Sequence, residues 1–165
     1  MAQDPIELVK DFYYKGFIAQ NPQFILSLLT DDIGWWVFGP PGFPCDGYYQ
    51  GKTGDHGVPK FFEDLGSILG DTSKTFYPHE FYASPVPEYP DLTVVTALGL
   101  ETGTLHQRGI ENNYGFFNYW SHTFYIRAGK IVRFRANFTL IPPGSVPFPL
   151  IFGSLSELVG GGKSG

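Results

Sequence analysis

The sequence predicts an α+β domain whose helices lie mainly in the first half of the chain and whose antiparallel strands lie in the second. Three amphipathic helical patterns precede Gly70, with one short β-prone run between the second and the third. After Gly70, long runs rich in Val, Thr, Tyr and Phe alternate with turn residues. This order is typical of folds in which helices cover one face of a curved sheet.

Capping residues indicate where the first two helices begin. An Asp-Pro pair at residues 4–5 and an Asn-Pro pair at residues 21–22 each put a side-chain acceptor before a proline that suits the first helical turn. Apolar residues at helical spacing extend the first helix over about four turns. The second helix is expected to end near the Thr-Asp-Asp at residues 30–32, and a third is predicted from about Val58 to Leu69.

The strands are predicted from β-prone runs that are bounded by turn signals. They cover about residues 33–38, 75–84, 92–107, 113–127 and 130–140. Residues 40–57 are rich in Pro and Gly and are interpreted as a loop. An Ala-Gly-Lys turn at residues 128–130 is expected to join the last two strands.

The composition indicates one globular domain with many large side chains. The chain has 165 residues, of which 42% are hydrophobic and 18% aromatic, and this excludes disorder over most of its length. Eleven basic and sixteen acidic residues give a net charge of −5, which makes nucleic acid an unsuitable partner.

The compartment and the cofactor requirement are also predicted from composition. Cys45 is the single cysteine and cannot form an internal disulfide, and no apolar run is long enough to span a membrane. We therefore expect a cytoplasmic protein. The histidines show no metal-ligand spacing and have no cysteine partners, so neither a metal nor another cofactor is expected.

Two sequence segments, in this order, resemble the NTF2-like superfamily, and in particular its SnoaL-like and ketosteroid-isomerase-like members. They are "GPPGFPCDGYYQGKTG" at residues 39–54, followed by Phe61-Phe62, and "GKIVRFRANF" at residues 129–138. The resemblance implies a cone: a curved, mixed but mostly antiparallel sheet wrapped around three helices, with one deep apolar pocket. It also implies a homodimer formed through the outer face of the sheet. Members include isomerases, dehydratases, polyketide cyclases and non-catalytic binding modules.

The resemblance extends over about residues 5–140, so residues 1–145 are assigned to this domain. The tail at residues 146–165 is apolar and then Gly-rich, and we expect it to cover the pocket or a partner subunit.

The resemblance also implies roles for individual residues. Tyr13 aligns with the oxyanion-hole tyrosine of ketosteroid isomerases, and His122 aligns with their protonated aspartic acid. Ala136 and Phe138 align with positions that line the pocket. The catalytic aspartate aligns with Val37, which has no proton chemistry. Two donor positions are therefore retained, whereas the usual base is missing.

His122 is the main candidate because of its position in a predicted strand. Strand alternation places it on one face with Asn118, Trp120 and Phe124. A histidine with an ordinary pKa of about 6.5 can polarise a carbonyl group or transfer a proton. The alternative is a structural histidine that is bonded to a neighbouring backbone or hydroxyl group.

The other candidates surround this position. Tyr13 is a second donor or a core residue, and Tyr14 takes its role if the register is shifted by one. Trp35 and Trp36 must point to opposite faces of their strand, so one of them is expected to enter the pocket. Phe62 in the third helix is a further substrate-binding candidate.

Two carboxylates are candidates for acid/base chemistry. Asp46 lies in the loop near the pocket mouth and is predicted to supply the missing base, although Asp before Gly is also ordinary turn chemistry. Glu101 lies on a predicted strand and is expected to face solvent near a turn. If it instead pairs with His122, the two form an acid/base dyad.

These observations lead to two hypotheses about function. The first is a cofactor-independent enzyme of natural-product metabolism that cyclises, isomerises or dehydrates a small, hydrophobic, oxygen-bearing substrate. The second is a binding module that holds a hydrophobic ligand or a protein partner in the same pocket without chemistry.

Overall fold

The structure is a computed structural model that describes residues 3–39, 43, 45–68, 75–105 and 114–141. Its helices lie between residues 5 and 68. They are α1 (Pro5–Asp11), which continues into a π-helical segment (Phe12–Phe17), α2 (Pro22–Leu28) and α3 (Val58–Ile68). The predicted number and order of the helices are confirmed.

Both predicted helix caps are present. The carboxylate of Asp4 accepts hydrogen bonds from the backbone N–H groups of Ile6 and Glu7, at 2.9 and 3.1 Å. The side-chain oxygen of Asn21 accepts from the N–H of Phe24 at 3.1 Å. These bonds satisfy N–H groups that have no partner within the first turn of a helix.

The first helix changes its hydrogen-bond pattern at Phe12, which periodicity did not predict. In the π-helical segment the bond of Ile18 N–H reaches back five residues, to the carbonyl of Tyr13. Such wider turns are frequent at functional sites. Phe12 and Tyr13 are both fully buried beneath the sheet.

The strands form one mixed, open sheet. They are β1 (Leu29–Phe38), β2 (Gly47–Gln50), β3 (Phe76–Val86), β4 (Tyr89–Leu105), β5 (Tyr114–Arg127), β6 (Lys130–Asn137) and β7 (Leu140–Ile141). The order is β2-β1-β6-β5-β4-β3, and β7 pairs with β5. β1 runs parallel to β6, whereas the other pairs are antiparallel. The predicted α+β class with a mixed, mostly antiparallel sheet is confirmed.

Two strand boundaries differ from the prediction. β2 lies inside the segment 40–57 that was interpreted as a loop, because Tyr48 and Tyr49 pair with β1 despite the surrounding glycines and prolines. The Thr-Asp-Asp at residues 30–32 belongs to β1 rather than to the end of α2. Leu29, with φ −91° and ψ 156°, already has extended geometry.

The turn predicted between the last two strands is confirmed. Ala128 and Gly129 have φ angles of 48° and 71°. Positive φ at both central residues is the geometry of two-residue hairpin turns that match the twist of the sheet. This turn begins the pairing of β5 with β6, and a one-residue bulge at Val132 then sets the register that places His122 opposite Ala136.

The aromatic core lies between the helices and the inner face of the sheet. The ring of Phe12 contacts those of Phe124, Phe134 and Trp35, with centroids 5.1, 5.9 and 6.1 Å away. Contacts of this kind hold the first helical unit against strands β1, β5 and β6.

Some sequence predictions cannot be compared with this structure. The predicted tail at residues 146–165, the helix end near Leu69 and His106 lie outside the described residues. Among the described helices, none has the length and apolar character needed to cross a membrane.

Candidate functional site

His122 lies near the middle of the sheet, on its inner face. It sits on β5 opposite Ala97 of β4 and Ala136 of β6. Its side chain is only 7% exposed. The predicted face is correct, since Asn118, Trp120 and Phe124 are also buried on this side.

The structure brings Tyr13 and His122 together. The Tyr13 Oη atom lies 2.8 Å from Nδ1 of His122, and both side chains are buried. The two rings are stacked at a centroid distance of 5.9 Å. The π-helical segment thus supplies one partner and the central strand supplies the other.

Burial keeps both groups uncharged. Desolvation lowers the pKa of His122 to about 3, so its imidazole is neutral near pH 7. The same effect raises the pKa of Tyr13 well above its ordinary value, so its phenol keeps its proton. The contact therefore joins a neutral phenol to a neutral imidazole.

The hydrogen-bonding capacity of these groups selects the tautomer of His122. The described part of the chain offers the Tyr13 hydroxyl no acceptor other than Nδ1 of His122. When Tyr13 donates to Nδ1, the imidazole carries its proton on Nε2. Nε2 is itself buried and has no hydrogen-bond partner among the described residues.

An aromatic stack holds the imidazole in this orientation. Trp120 stacks on Phe76 at 4.7 Å and on His122 at 4.4 Å. Gly99 lies opposite Trp120 on β4, and a Cβ atom there would be 2.0 Å from Cζ2 of the indole. Only a residue without a side chain therefore lets the indole lie across β4.

A narrow cavity lies against this cluster. It is lined by Phe12, Tyr13, Phe17, Trp35, Phe61, Phe62, Leu65, Phe76, Glu101, His122, Phe134, Ala136 and Phe138. Its volume is about 20 Å³, which is room for one water-sized molecule. Phe17, Phe62 and Phe138 are only partly buried, and a ligand larger than water requires these rings to turn outward.

Glu101 is buried in the cavity wall, and the expectation that it faces solvent is wrong. It is 1% exposed because it pairs with Asn118 across β4 and β5 and shares the inner face with Gly99. Asn118 donates from Nδ2 to Oε2 of Glu101 at 3.2 Å and accepts from the N–H of Thr139 at 2.9 Å.

The structure does not pair Glu101 directly with His122. Their strand positions are four residues apart, since Glu101 lies opposite Asn118. Both side chains line the same cavity. A ligand between them would therefore meet a carboxylate on one side and an imidazole N–H on the other.

Three predicted site residues are placed outside the cavity. Tyr14 is 51% exposed, because it follows the buried Tyr13 on the helix. Trp36 is 38% exposed on the outer face, whereas its neighbour Trp35 lines the cavity, as strand alternation predicts. Asp46 is exposed, and its carboxylate accepts from the backbone N–H of Gly39, which is a local turn bond.

The remaining candidates lie in or directly behind the cavity wall. Phe62 and Phe138 line it. Asn118 and Trp120 are fully buried behind it, where Asn118 holds Glu101 and Trp120 stacks on His122.

The sequence analysis missed several apolar members of the wall. Phe61 and Leu65 belong to the apolar stripe of α3, and that stripe was the available signal for them. Phe76 and Phe134 come from separate strands, and nothing local marks them as lining residues. Within the described ranges, no group of three or more His, Cys, Asp or Glu side chains is placed to hold a metal ion.

Comparison with known proteins supports the fold but gives no family match from sequence. No family model matches the chain, and no curated protein matches it. An NTF2-like protein from Burkholderia thailandensis E264 is similar in structure, with 24% identity and a TM-score of 0.61; the match covers 83% of this chain and 92% of that one.

Two further solved structures bear names that indicate small-molecule chemistry or binding. Hexachlorocyclohexane dehydrochlorinase LinA-type3 from Novosphingobium barchaimii LL02 has 18% identity and a TM-score of 0.62, covering 84% of this chain and 87% of that one. TerC, co-crystallised with polyporic acid, has 25% identity and a TM-score of 0.53, covering 81% and 90%. The chain thus has an NTF2-like fold, as its sequence resemblance implied, and its structural neighbours include small-molecule enzymes.

Proposed function

We propose that this protein is a cofactor-independent enzyme that acts by acid/base catalysis on a small, apolar, oxygen-bearing substrate. The reaction class is cyclisation, isomerisation or dehydration, of the kind used in natural-product metabolism. The observation that carries the proposal is the buried Nε2 atom of His122, which has no protein partner among the described residues while Tyr13 fixes the other ring nitrogen.

The proposed role of His122 is that of a neutral donor. With a pKa of about 3, the imidazole is a weak base and is almost never a cation near pH 7. Its Nε2–H group can instead donate to a substrate carbonyl and stabilise the negative charge that develops on the oxygen when a neighbouring C–H bond breaks. A preorganised donor in a site that excludes water contributes a factor of about 10²–10³ to the rate.

The proposed base is Glu101. It is the one carboxylate among the described residues that line the cavity, and Asn118 holds one of its oxygens. It would take the proton from the carbon next to the polarised carbonyl, which generates an enolate, and return it at another position. In this proposal a carboxylate of β4 takes the place of the base that is missing at Val37 of β1.

A proton-exchange assay tests this division of roles. 2-Tetralone, an apolar cyclic ketone, is incubated with the enzyme in D₂O, and deuterium uptake next to the carbonyl is followed by NMR. We expect His122→Phe to slow the enzyme-dependent exchange by about 10²-fold or more. His122→Gln should retain more activity because its amide N–H can still donate. Glu101→Gln should also lose activity, by about 10²–10⁴-fold.

The same assay separates an enzyme from a binding module. Tyr14→Phe is the matched control, since Tyr14 lies next to Tyr13 but is exposed. If the wild-type protein binds 2-tetralone without accelerating exchange, the catalytic proposal is wrong and the binding module is favoured. If His122→Phe exchanges as fast as the wild type, the role assigned to His122 is wrong.

A further inference from the structure

A second buried donor in the cavity wall has no hydrogen-bond partner. The indole nitrogen Nε1 of Trp35 is buried and makes no hydrogen bond within the described part of the chain. Trp35 is 1% exposed and lines the same cavity as His122. The cavity wall therefore contains two N–H donors, the indole of Trp35 and the imidazole of His122.

The surroundings of Trp35 explain why the described residues offer its indole nitrogen no acceptor. Its ring contacts Phe134, Phe61 and Phe62, with centroids 3.9, 5.2 and 5.8 Å away. Burying an N–H group among such rings without a partner is unfavourable. A phenylalanine would fill this position without that cost, which indicates that the indole nitrogen has a function.

Trp120 provides a contrast within the same cluster. Its indole nitrogen is also buried without a partner in the described residues. However, Trp120 is not part of the cavity lining and is packed between Phe76 and His122. Trp35 and His122 therefore border the cavity, whereas Trp120 does not.

The two lining donors are separated by one strand. Trp35 lies on β1 and His122 on β5, and β6 runs between them. Neighbouring strands are about 4.8 Å apart, and Trp35 pairs with Phe134 whereas His122 pairs with Ala136, two residues further along β6, so the two side chains arise roughly 12 Å from each other. The ring of Phe134 packs against both, at 3.9 Å from Trp35 and 5.2 Å from His122. This spacing suits two acceptors on one ligand better than one shared acceptor.

We propose that the cavity recognises a flat, apolar compound with two acceptor oxygens, such as a cyclic diketone or quinone. Nε1 of Trp35 donates to one oxygen and Nε2 of His122 donates to the other. The aromatic walls select a flat ring system through stacking and edge contacts. This inference rests on the proposed function for the donor role of His122, and it adds Trp35 as the residue that determines specificity.

Indole N–H signals test the inference without any change to the protein. In ¹⁵N-labelled protein, Trp35, Trp36 and Trp120 each give one such signal, and Trp→Phe variants assign them. The probes are anthraquinone, fluorenone and anthracene, which are flat and carry two, one and no carbonyl oxygens. We expect anthraquinone to move the Trp35 signal downfield, while the exposed Trp36 signal stays in place.

Affinities give a second, independent readout. The dissociation constants should fall from anthracene to fluorenone to anthraquinone, by roughly two- to tenfold for each added acceptor. Trp35→Phe should weaken anthraquinone binding by a similar factor and leave anthracene binding unchanged. Trp36→Phe is the matched control, because it is the same change on the opposite face of the same strand.

The outcomes distinguish this inference from the proposed function. If the Trp35 signal does not move when anthraquinone binds, or if anthraquinone binds no better than anthracene or does not bind, the inference is overturned. Proton exchange of 2-tetralone can still depend on His122 in that case. Conversely, a Trp35 shift without any exchange activity supports the recognition site and contradicts the catalytic proposal.

Discussion

Both faces of the sheet carry tryptophan side chains, but these rings contact different kinds of partner. On the inner face, Trp120 stacks on His122, which is neutral and shielded from water. On the outer face, Trp36 packs against Tyr48 at 5.2 Å, and the guanidinium of Arg135 lies 5.8 Å above the indole. The indole on the inner face therefore stacks on a neutral imidazole, whereas the indole on the outer face interacts with a cation.

The difference between the faces comes from access to water. Arg135 is half-buried on the outer face, where its guanidinium keeps part of its hydration while it interacts with a ring. The imidazole of His122 would lose that hydration if it were charged, and so burial lowers its pKa instead. His122 is consequently a neutral, fixed donor, which can recognise a ligand oxygen without competition from water.

Replacing a glycine on the inner face should lower the stability of the protein more than any other change considered for the two faces. Gly99→Ala would place a Cβ atom 2.0 Å from the indole of Trp120 and 2.5 Å from the carbonyl oxygen of Tyr77. Because neither neighbour can move freely, we expect a loss of about 3 kcal/mol in the free energy of unfolding, measured by urea denaturation.

The outer face supplies the matched control for that change. Gly34→Ala would bring its Cβ atom 3.1 Å from the hydroxyl of Tyr48, which is the exposed end of a side chain that can turn away. We expect a loss below about 1 kcal/mol. Equal losses for the two variants would contradict the packing assigned to Trp120.

Two neighbouring tyrosines, one buried and one exposed, allow a second comparison in which the expected loss of stability is smaller. Tyr13→Phe removes the one donor to Nδ1 of His122 among the described residues and leaves that buried nitrogen without a partner there. We expect a loss of about 1–3 kcal/mol in thermal or urea denaturation. Tyr14→Phe removes an exposed hydroxyl whose 3.5 Å contact with the carbonyl of Pro78 is weak, so it should cost less than about 0.5 kcal/mol. Equal losses for the two variants would contradict the hydrogen bond assigned to Tyr13 and His122.

The position of His122 could be predicted from sequence because its determinants are local. Strand alternation places it on one face with Trp120, and the turn at residues 128–130 begins the hairpin, although the bulge at Val132 that completes the register was not predicted. The helix caps at Asp4 and Asn21 were predictable for the same reason. Each of these features depends on residues that are close in the chain.

The rest of the site depends on contacts between distant segments. Glu101 is buried because of its partner Asn118 across the sheet, and local sequence alone gave no reason to bury a carboxylate. Strand β2 forms because it pairs with β1, although its own composition favours a loop. The tautomer of His122 follows from Tyr13, which is 109 residues away.

The outer face should matter for assembly rather than for folding. We propose that two copies associate through it, because Trp36, Phe38 and Tyr48 are large exposed side chains on neighbouring strands. Trp36→Glu should then shift the protein from dimer to monomer in size-exclusion chromatography, with little change in monomer stability. Tyr14→Glu, an equally polar change away from this face, should leave the dimer intact. A wild-type protein that elutes as a monomer would contradict the proposal.

The central claim is that His122 is a neutral donor oriented by Tyr13. Its most direct test is a ¹⁵N NMR titration of the imidazole nitrogens from pH 8 to pH 4. We expect Nε2 to carry the proton and Nδ1 to carry none, without change over this range, because the pKa of the folded state is about 3. A proton on Nδ1, or a midpoint near the ordinary value of about 6.5, would contradict the account.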